Sequence, residues 1–145
     1  MSTPDAILLD IGPVVMTTLT DAKRKSSESW TEGISSLGEN AGDLKRYSDK
    51  DKATVKVHGI TLQHLLEELR IEPGRLNILQ IDAECYDARI LLQWPDLEEH
   101  RPTVINIEWS CINTEERCQL IQRLVDAGYT HFDHTDKDFT AVIAA

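Results

Sequence analysis

The sequence predicts an α/β fold, with a partial, largely parallel sheet that finishes in an antiparallel β-hairpin. Three observations carry that expectation. Short runs rich in β-branched residues alternate with helical leucine patterns from residue 53 onward. Leu76–Asp82 and Thr103–Trp109 are almost continuously apolar, as strands covered on both faces of a parallel sheet are. Tyr129–Asp133 and Phe139–Ile143 are separated only by the polar turn His134–Asp138, too short for a crossover, so they must pair antiparallel.

Taken in order, Ala6–Leu9 and Val14–Leu19 read as two strands, or one bent ribbon, around the turn-forming set Asp10-Ile11-Gly12-Pro13. Thr20–Lys52 is a long polar passage, expected to be loop with room for a helical turn. A loop of that length inside a compact domain suggests a lid, or a segment that a partner orders. Within it Trp30, Ile34 and Leu37 fall at helical spacing and suit a short helix docked on a core. Ala53–Ile60 alternates apolar and polar residues and reads as a strand; His58 in it reads as a surface residue, because no second metal ligand lies at a fixed spacing. Thr61 can cap a helix over Leu62–Leu69, whose leucines share one face and which Pro73 and Gly74 stop. A brief helix, Asp87–Leu92, follows the first buried-type strand. After the second, Asn113 and Glu116 have the spacing of a capping box, opening a helix that reaches about Ala127 and that Gly128 terminates.

Composition bounds what such a fold can do. With 145 residues, 41% of them apolar and 28% charged, the chain is expected to form a single soluble α/β domain, strands and the polar loop in 1–60 and the core in 61–145. The 15 basic and 25 acidic side chains leave a net charge of -10. Residues 1–60 hold 8 basic and 9 acidic groups and residues 61–145 hold 7 and 16, so the acid excess sits in the second half. A nucleic-acid partner is therefore not expected, since it needs a basic face, whereas a neutral or cationic small ligand suits this one. Cys85, Cys111 and Cys118 form an odd, widely spaced set without CxxC, from which neither a zinc site nor a disulfide framework is expected. The opening MSTPDAILLD lacks a basic region and a long apolar run, so a cytoplasmic protein with no membrane association is expected.

The candidate site follows from the fold. In open α/β sheets ligands bind beyond the carboxyl ends of the strands. Asp82 and Glu84 stand at that end of the first strand and Glu108 at that end of the second. If the first strand persists through Ala83, the two acids point the same way. Three carboxylates at one edge can accept hydrogen bonds from hydroxyls or an ammonium, act as a base, or hold a divalent cation. They can equally be ordinary acids at helix N-termini, favoured by the helix dipole.

The order of these features resembles the FkbM-type family of S-adenosylmethionine-dependent methyltransferases. The residues that carry the resemblance are Thr61-Leu62-Gln63-His64-Leu65-Leu66, then Leu79-Gln80-Ile81-Asp82-Ala83-Glu84-Cys85-Tyr86-Asp87, then Ile105-Asn106-Ile107-Glu108, then Leu124-Val125-Asp126-Ala127-Gly128-Tyr129. Ile34-Ser35-Ser36-Leu37 is similar to a serine-containing stretch ahead of the family's helix, and the whole spans roughly residues 30–133. The sequence departs from the pattern at Cys85, where the family has Gly, and at Asp87, where it has Glu. The family's glycine-rich cofactor loop has no clear counterpart, since Val14, Val15 and Met16 stand where its later glycines would be.

The resemblance implies a Rossmann-like methyltransferase sheet and S-adenosylmethionine as cofactor, with Asp82, Glu84 and Glu108 as catalytic acids and no metal. It implies methyl transfer to an oxygen of a small molecule or saccharide. The missing loop makes the chain read as the carboxyl-terminal portion of such an enzyme. Leu76–Asp82 would then have an open edge, to be covered by Ala6–Leu19 folding back, by a homodimer partner or by a complementing subunit. A non-catalytic remnant acting as an assembly module is the alternative, and a metal-dependent hydrolase a third.

Overall fold

The computed structural model describes residues 12–19, 35–37 and 46–144. The chain divides into two compact units, one within residues 11–59 and the other containing residues 60–145.

The described part of the first unit is a three-stranded antiparallel sheet. Strand β1 (Gly12–Leu19) runs between β2 (Ser35–Leu37) and β3 (Lys52–Gly59), and a 3-10 turn over Asp49–Asp51 leads into β3. β3 is the expected alternating strand, and His58 is exposed on it. Two expectations need correction. Gly12 and Pro13 belong to β1 rather than to a turn; Pro13 lies outside Met16–Thr18, the span that β2 pairs, so its missing N–H falls where the strand has one described neighbour. Ser35–Leu37 is a strand and not part of a docked helix, because β1 offers it a ladder that outweighs a three-residue helical spacing. Gly12–Leu19 pairs along its whole length with β3. Ala6–Leu9, Trp30 and most of the 20–52 passage lie outside the described residues.

The second unit holds the sequence-predicted core. Its order is α1 (Leu62–Glu68), β4 (Ile78–Ile81), α2 (Asp87–Gln93), α3 (Leu97–His100), β5 (Val104–Glu108), α4 (Thr114–Asp126), β6 (His131–His134) and β7 (Asp138–Val142). The four strands form one sheet in the order β4-β5-β7-β6. β4 and β5 are parallel, with Ile81 opposite Ile107, and β7 lies antiparallel between β5 and β6. A parallel pair closed by an antiparallel hairpin is the expected architecture, a partial Rossmann-like sheet.

Local chemistry sets the boundaries. The Thr61 hydroxyl accepts the His64 N–H, and α1 ends with Arg70 in the left-handed region, where Arg70 and Ile71 N–H return to Glu67 and Leu66 carbonyls. The Asn113 side-chain oxygen accepts the Glu116 N–H at 3.0 Å, as its spacing predicts. At the other end of α4, Gly128 takes φ +96° and the N–H groups of Gly128 and Tyr129 bond to Val125 and Leu124 carbonyls, a Schellman close. A Cβ at Gly128 would meet the Arg101 guanidinium at 3.2 Å, a second reason for glycine there.

Leu120 and Leu124 bury one face of α4 completely, worth about 1.5–3 kcal/mol each. They pack in the core with Leu91, Trp94, Ile105 and Ile107. The Arg123 guanidinium donates to the carbonyls of Leu92 and Trp94, tying α4 to the end of α2. Tyr129, from the Gly-Tyr pair that closes α4, is fully buried and donates its hydroxyl to the Pro102 carbonyl; burial pushes that hydroxyl's pKa well up. β4 departs from the reading of a strand covered on both faces. Leu79 is buried, but Gln80 is exposed and Ile78 keeps 65% of its surface in solvent, because β4 is the edge of the described sheet. Among the described residues no helix is long and apolar enough to cross a membrane.

Candidate functional site

At the carboxyl edge of the parallel pair, β4 ends at Ile81, one residue before Asp82. The strand does not persist through Ala83, so Asp82 and Glu84 do not point the same way from a continuing strand. The Ala83 N–H leaves the ladder and donates to Asp87 Oδ2 at 3.3 Å. Glu84 and Cys85 then both take left-handed backbone conformations, φ +47° and +82°, and the Tyr86 N–H closes back on the Ala83 carbonyl at 3.2 Å. Two left-handed residues inside a four-residue turn are the pattern of a type I′ turn, whose central positions favour Asn and Gly. Here they hold Glu and Cys.

Asp87 is the residue on which both strand ends converge. It opens α2 and is fully buried. While one carboxylate oxygen accepts the Ala83 N–H, the other accepts the Glu108 N–H at 3.2 Å. One side chain thus fixes the exit of β4 against the last residue of β5. Burial raises its pKa above the ordinary 3.8, the backbone N–H groups of Asp87, Ala83 and Glu108 work against that rise, and the charge of nearby Asp82 adds to it.

Of the expected site residues, Asp82 is exposed, Glu84 is half-buried in the turn, and Glu108 is half-buried with one carboxylate oxygen accepting the Ser110 hydroxyl at 2.8 Å. All three occupy one edge of one parallel pair. Asp138, opposite Glu108 in the β5–β7 register, adds a fourth acid that sequence reading did not place there. Among the described residues no group of three or more His, Cys, Asp or Glu side chains is arranged to share a metal ion.

The exit of β5 has a different character. Trp109 is buried, stacks on Phe139 at 4.5 Å between ring centroids and lies 5.3 Å from the His134 ring. The Arg117 guanidinium sits over its indole at 4.7 Å and donates to its carbonyl at 2.7 Å. Its N–H donates to the Lys137 carbonyl, which ties the hairpin turn to the same edge.

The two exits are joined by a disulfide between Cys85 and Cys111. This overturns the expectation that the cysteines stay unpaired. Ile81 and Ile107 are register partners, Cys85 lies four residues beyond the first (85 − 81) and Cys111 four beyond the second (111 − 107), so the fold delivers both to one place. Cys118 is exposed and free. Sequence reading also recorded Asp87 only as a departure from a pattern. Its signal was available, since an acid at the first position of a helix behind a parallel strand faces the freed N–H groups of the strand ends.

A parallel pair closed by a hairpin, with carboxylates at the carboxyl ends of β4 and β5, is consistent with a partial Rossmann-like methyltransferase sheet. Residues 7–139 match the Methyltransferase FkbM domain, and the chain belongs to that family. The match reaches back beyond residue 30, where the sequence resemblance was placed, and takes in the Leu8–Pro13 stretch. No curated protein and no solved structure gives a significant match.

Proposed function

We propose that this chain is an S-adenosylmethionine-dependent methyltransferase acting on an oxygen of a small molecule or saccharide, with its site at the carboxyl edge of β4 and β5. Family membership is the observation that carries this reading. The acceptor chemistry of the edge agrees with it. S-adenosylmethionine bears an ammonium and ribose hydroxyls, and the exposed Asp82 carboxylate and the half-buried Glu84 and Glu108 are acceptors for such groups. When bound, the cofactor supplies a methyl group on a sulfonium.

The protein's own part is to hold that ligand, orient the acceptor and remove a proton. Asp82 is the acceptor for the cofactor's polar groups. Glu108 is the residue for the proton of the acceptor hydroxyl, because its backbone is fixed by Asp87 and its carboxylate by Ser110. Glu84, on the turn, faces ligand from the β4 side. Calorimetry with S-adenosylmethionine tests the reading: heat of binding is expected, weakened about tenfold in Asp82→Asn, the loss of one charge-assisted contact. Absence of heat at millimolar ligand contradicts it.

We place the reaction in the cytoplasm. Disulfides belong to oxidising compartments more often, so this placement requires the Cys85–Cys111 bond to form transiently there. A second reading, a non-catalytic assembly module, is favoured by the β4 edge, where Ile78 is exposed beside unpaired strand backbone among the described residues. A homodimer or a complementing subunit would pair there. Dissociation of the assembly by Ile78→Asp in light scattering supports that pairing; a monomeric wild type removes it.

A further inference from the structure

We propose that the Cys85–Cys111 disulfide is a reversible redox lock on the candidate site, formed in the ligand-competent state and opened by cellular thiols. The proposal rests on the methyltransferase reading for what the site binds, and on the turn geometry for how the lock acts. Glu84 and Cys85 are successive non-glycine residues at positive φ, at the two central positions of a four-residue turn. The left-handed region costs an ordinary L-residue roughly 1–2 kcal/mol. The Tyr86 N–H to Ala83 carbonyl bond closes the turn across both central residues and is the weaker of the two holds on Cys85. The stronger is the disulfide, which tethers the Cys85 Cα 5.4 Å from that of Cys111 on the neighbouring exit. Glu84 is carried by this turn and Glu108 stands three residues before Cys111, so one bond spans the two loops that bear the candidate acids. Cys111 is exposed, so a thiol reagent can reach its sulfur.

The step balances without a cofactor. A thiolate of the reductant attacks the Sγ of Cys111 and the S–S bond breaks, with Cys85 Sγ leaving as thiolate. A second reductant thiol then resolves the mixed disulfide. Two electrons and two protons reach the two cysteines, and two reductant thiols leave as their disulfide. Released, Cys85 relaxes toward negative φ, the turn opens, and Glu84 no longer keeps a fixed place at the edge. Exchange with a small-molecule disulfide runs the same two steps backwards, the oxidant leaving as two thiols, and restores the bond and the turn.

The experiment compares the full chain, oxidised and after dithiothreitol, by alkylation mass, amide hydrogen exchange and S-adenosylhomocysteine calorimetry. Oxidised protein should take up one label, on Cys118, and reduced protein three. Reduction should raise exchange at residues 83–87 and 109–112 and weaken ligand affinity about five- to thirty-fold, reversed on reoxidation. Two variants separate the lock from a mere staple. C85G, which suits the left-handed position without any bond, should keep exchange at 84–86 low under both conditions, whereas C85S should behave as the reduced form under both. Three labels without reductant, equal exchange in both forms, or measurable binding of equal affinity in both forms overturns the proposal. If neither form binds ligand while exchange still responds to reduction and C85G suppresses that response, the lock on the turn stands and the methyltransferase reading is the part that fails.

Discussion

The exits of β4 and β5 lie side by side and both deliver acids, yet they are built on opposite principles. β5 leaves the sheet through contacts that its own neighbourhood supplies: Trp109 against Phe139 and His134, Arg117 over the indole, and Asn113 capping the helix that follows. β4 leaves through a turn at unfavourable φ, kept in place by two groups reaching across, the Asp87 carboxylate and the Cys85–Cys111 bond. The lesson is that the same edge can contain a rigid wall and a conditional one. The conditional one depends on bonds that chemistry can break.

The sharpest way to break this contrast is to remove Asp87. Asp87→Ala leaves the Ala83 and Glu108 N–H groups without their acceptor in a buried place, at a cost of about 4 kcal/mol for the two together, read by denaturant unfolding. The same residue sets a pH dependence. Its pKa in the folded chain lies above the ordinary 3.8, so the folded state holds this proton more tightly than the unfolded one. Its contribution to stability is then fully present below 3.8 and is lost as pH rises through the higher folded value. The stability difference between wild type and Asp87→Asn should therefore shift against the wild type between pH 4 and 7, as urea midpoints measured across that range will show. A difference that moves in favour of the wild type contradicts the assigned direction.

Reduction of the disulfide is next in size. A bond closing a loop with a sequence separation of 26 contributes about 3 kcal/mol by restricting the unfolded chain. Melting with and without dithiothreitol measures it, and C111S should reproduce the reduced value. On the β5 side the effects are smaller and should stay local. Arg117→Ala removes the hydrogen bond to the Trp109 carbonyl and the cation over the indole, about 2 kcal/mol, with faster amide exchange at Trp109–Ile112 and none at Ala83–Tyr86. Asn113→Ala costs about 1 kcal/mol through the lost cap alone. If Arg117→Ala loosens the β4 turn as much as reduction does, the two exits are not independent and the contrast collapses.

What could be read from sequence follows the range of the interaction. The Asn113 cap, the glycine close at Gly128, the hairpin and the alternating β3 are all set by residues within a few positions of each other, and their signals are local. The site acids were legible as strand-end residues because the strands themselves were. The failures are non-local. Ser35–Leu37 has a helical spacing to Trp30, but β1 supplies the partner that makes it a strand. The exit of β4 is fixed by Asp87 holding the Glu108 N–H, 21 residues away, as well as the Ala83 N–H, and the pairing of two widely spaced cysteines by the register of Ile81 with Ile107. Residue spacing gave no sign of these; the parallel register did once it was known.

The claim at the centre of this account is that ligand binds at the carboxyl edge of β4 and β5. Titrating isotopically labelled, oxidised protein with S-adenosylhomocysteine and following backbone amide shifts tests it residue by residue. The account predicts saturable shifts concentrated at Asp82–Tyr86 and Glu108–Ile112. Shifts confined to other parts of the chain, or none at millimolar ligand, would contradict it.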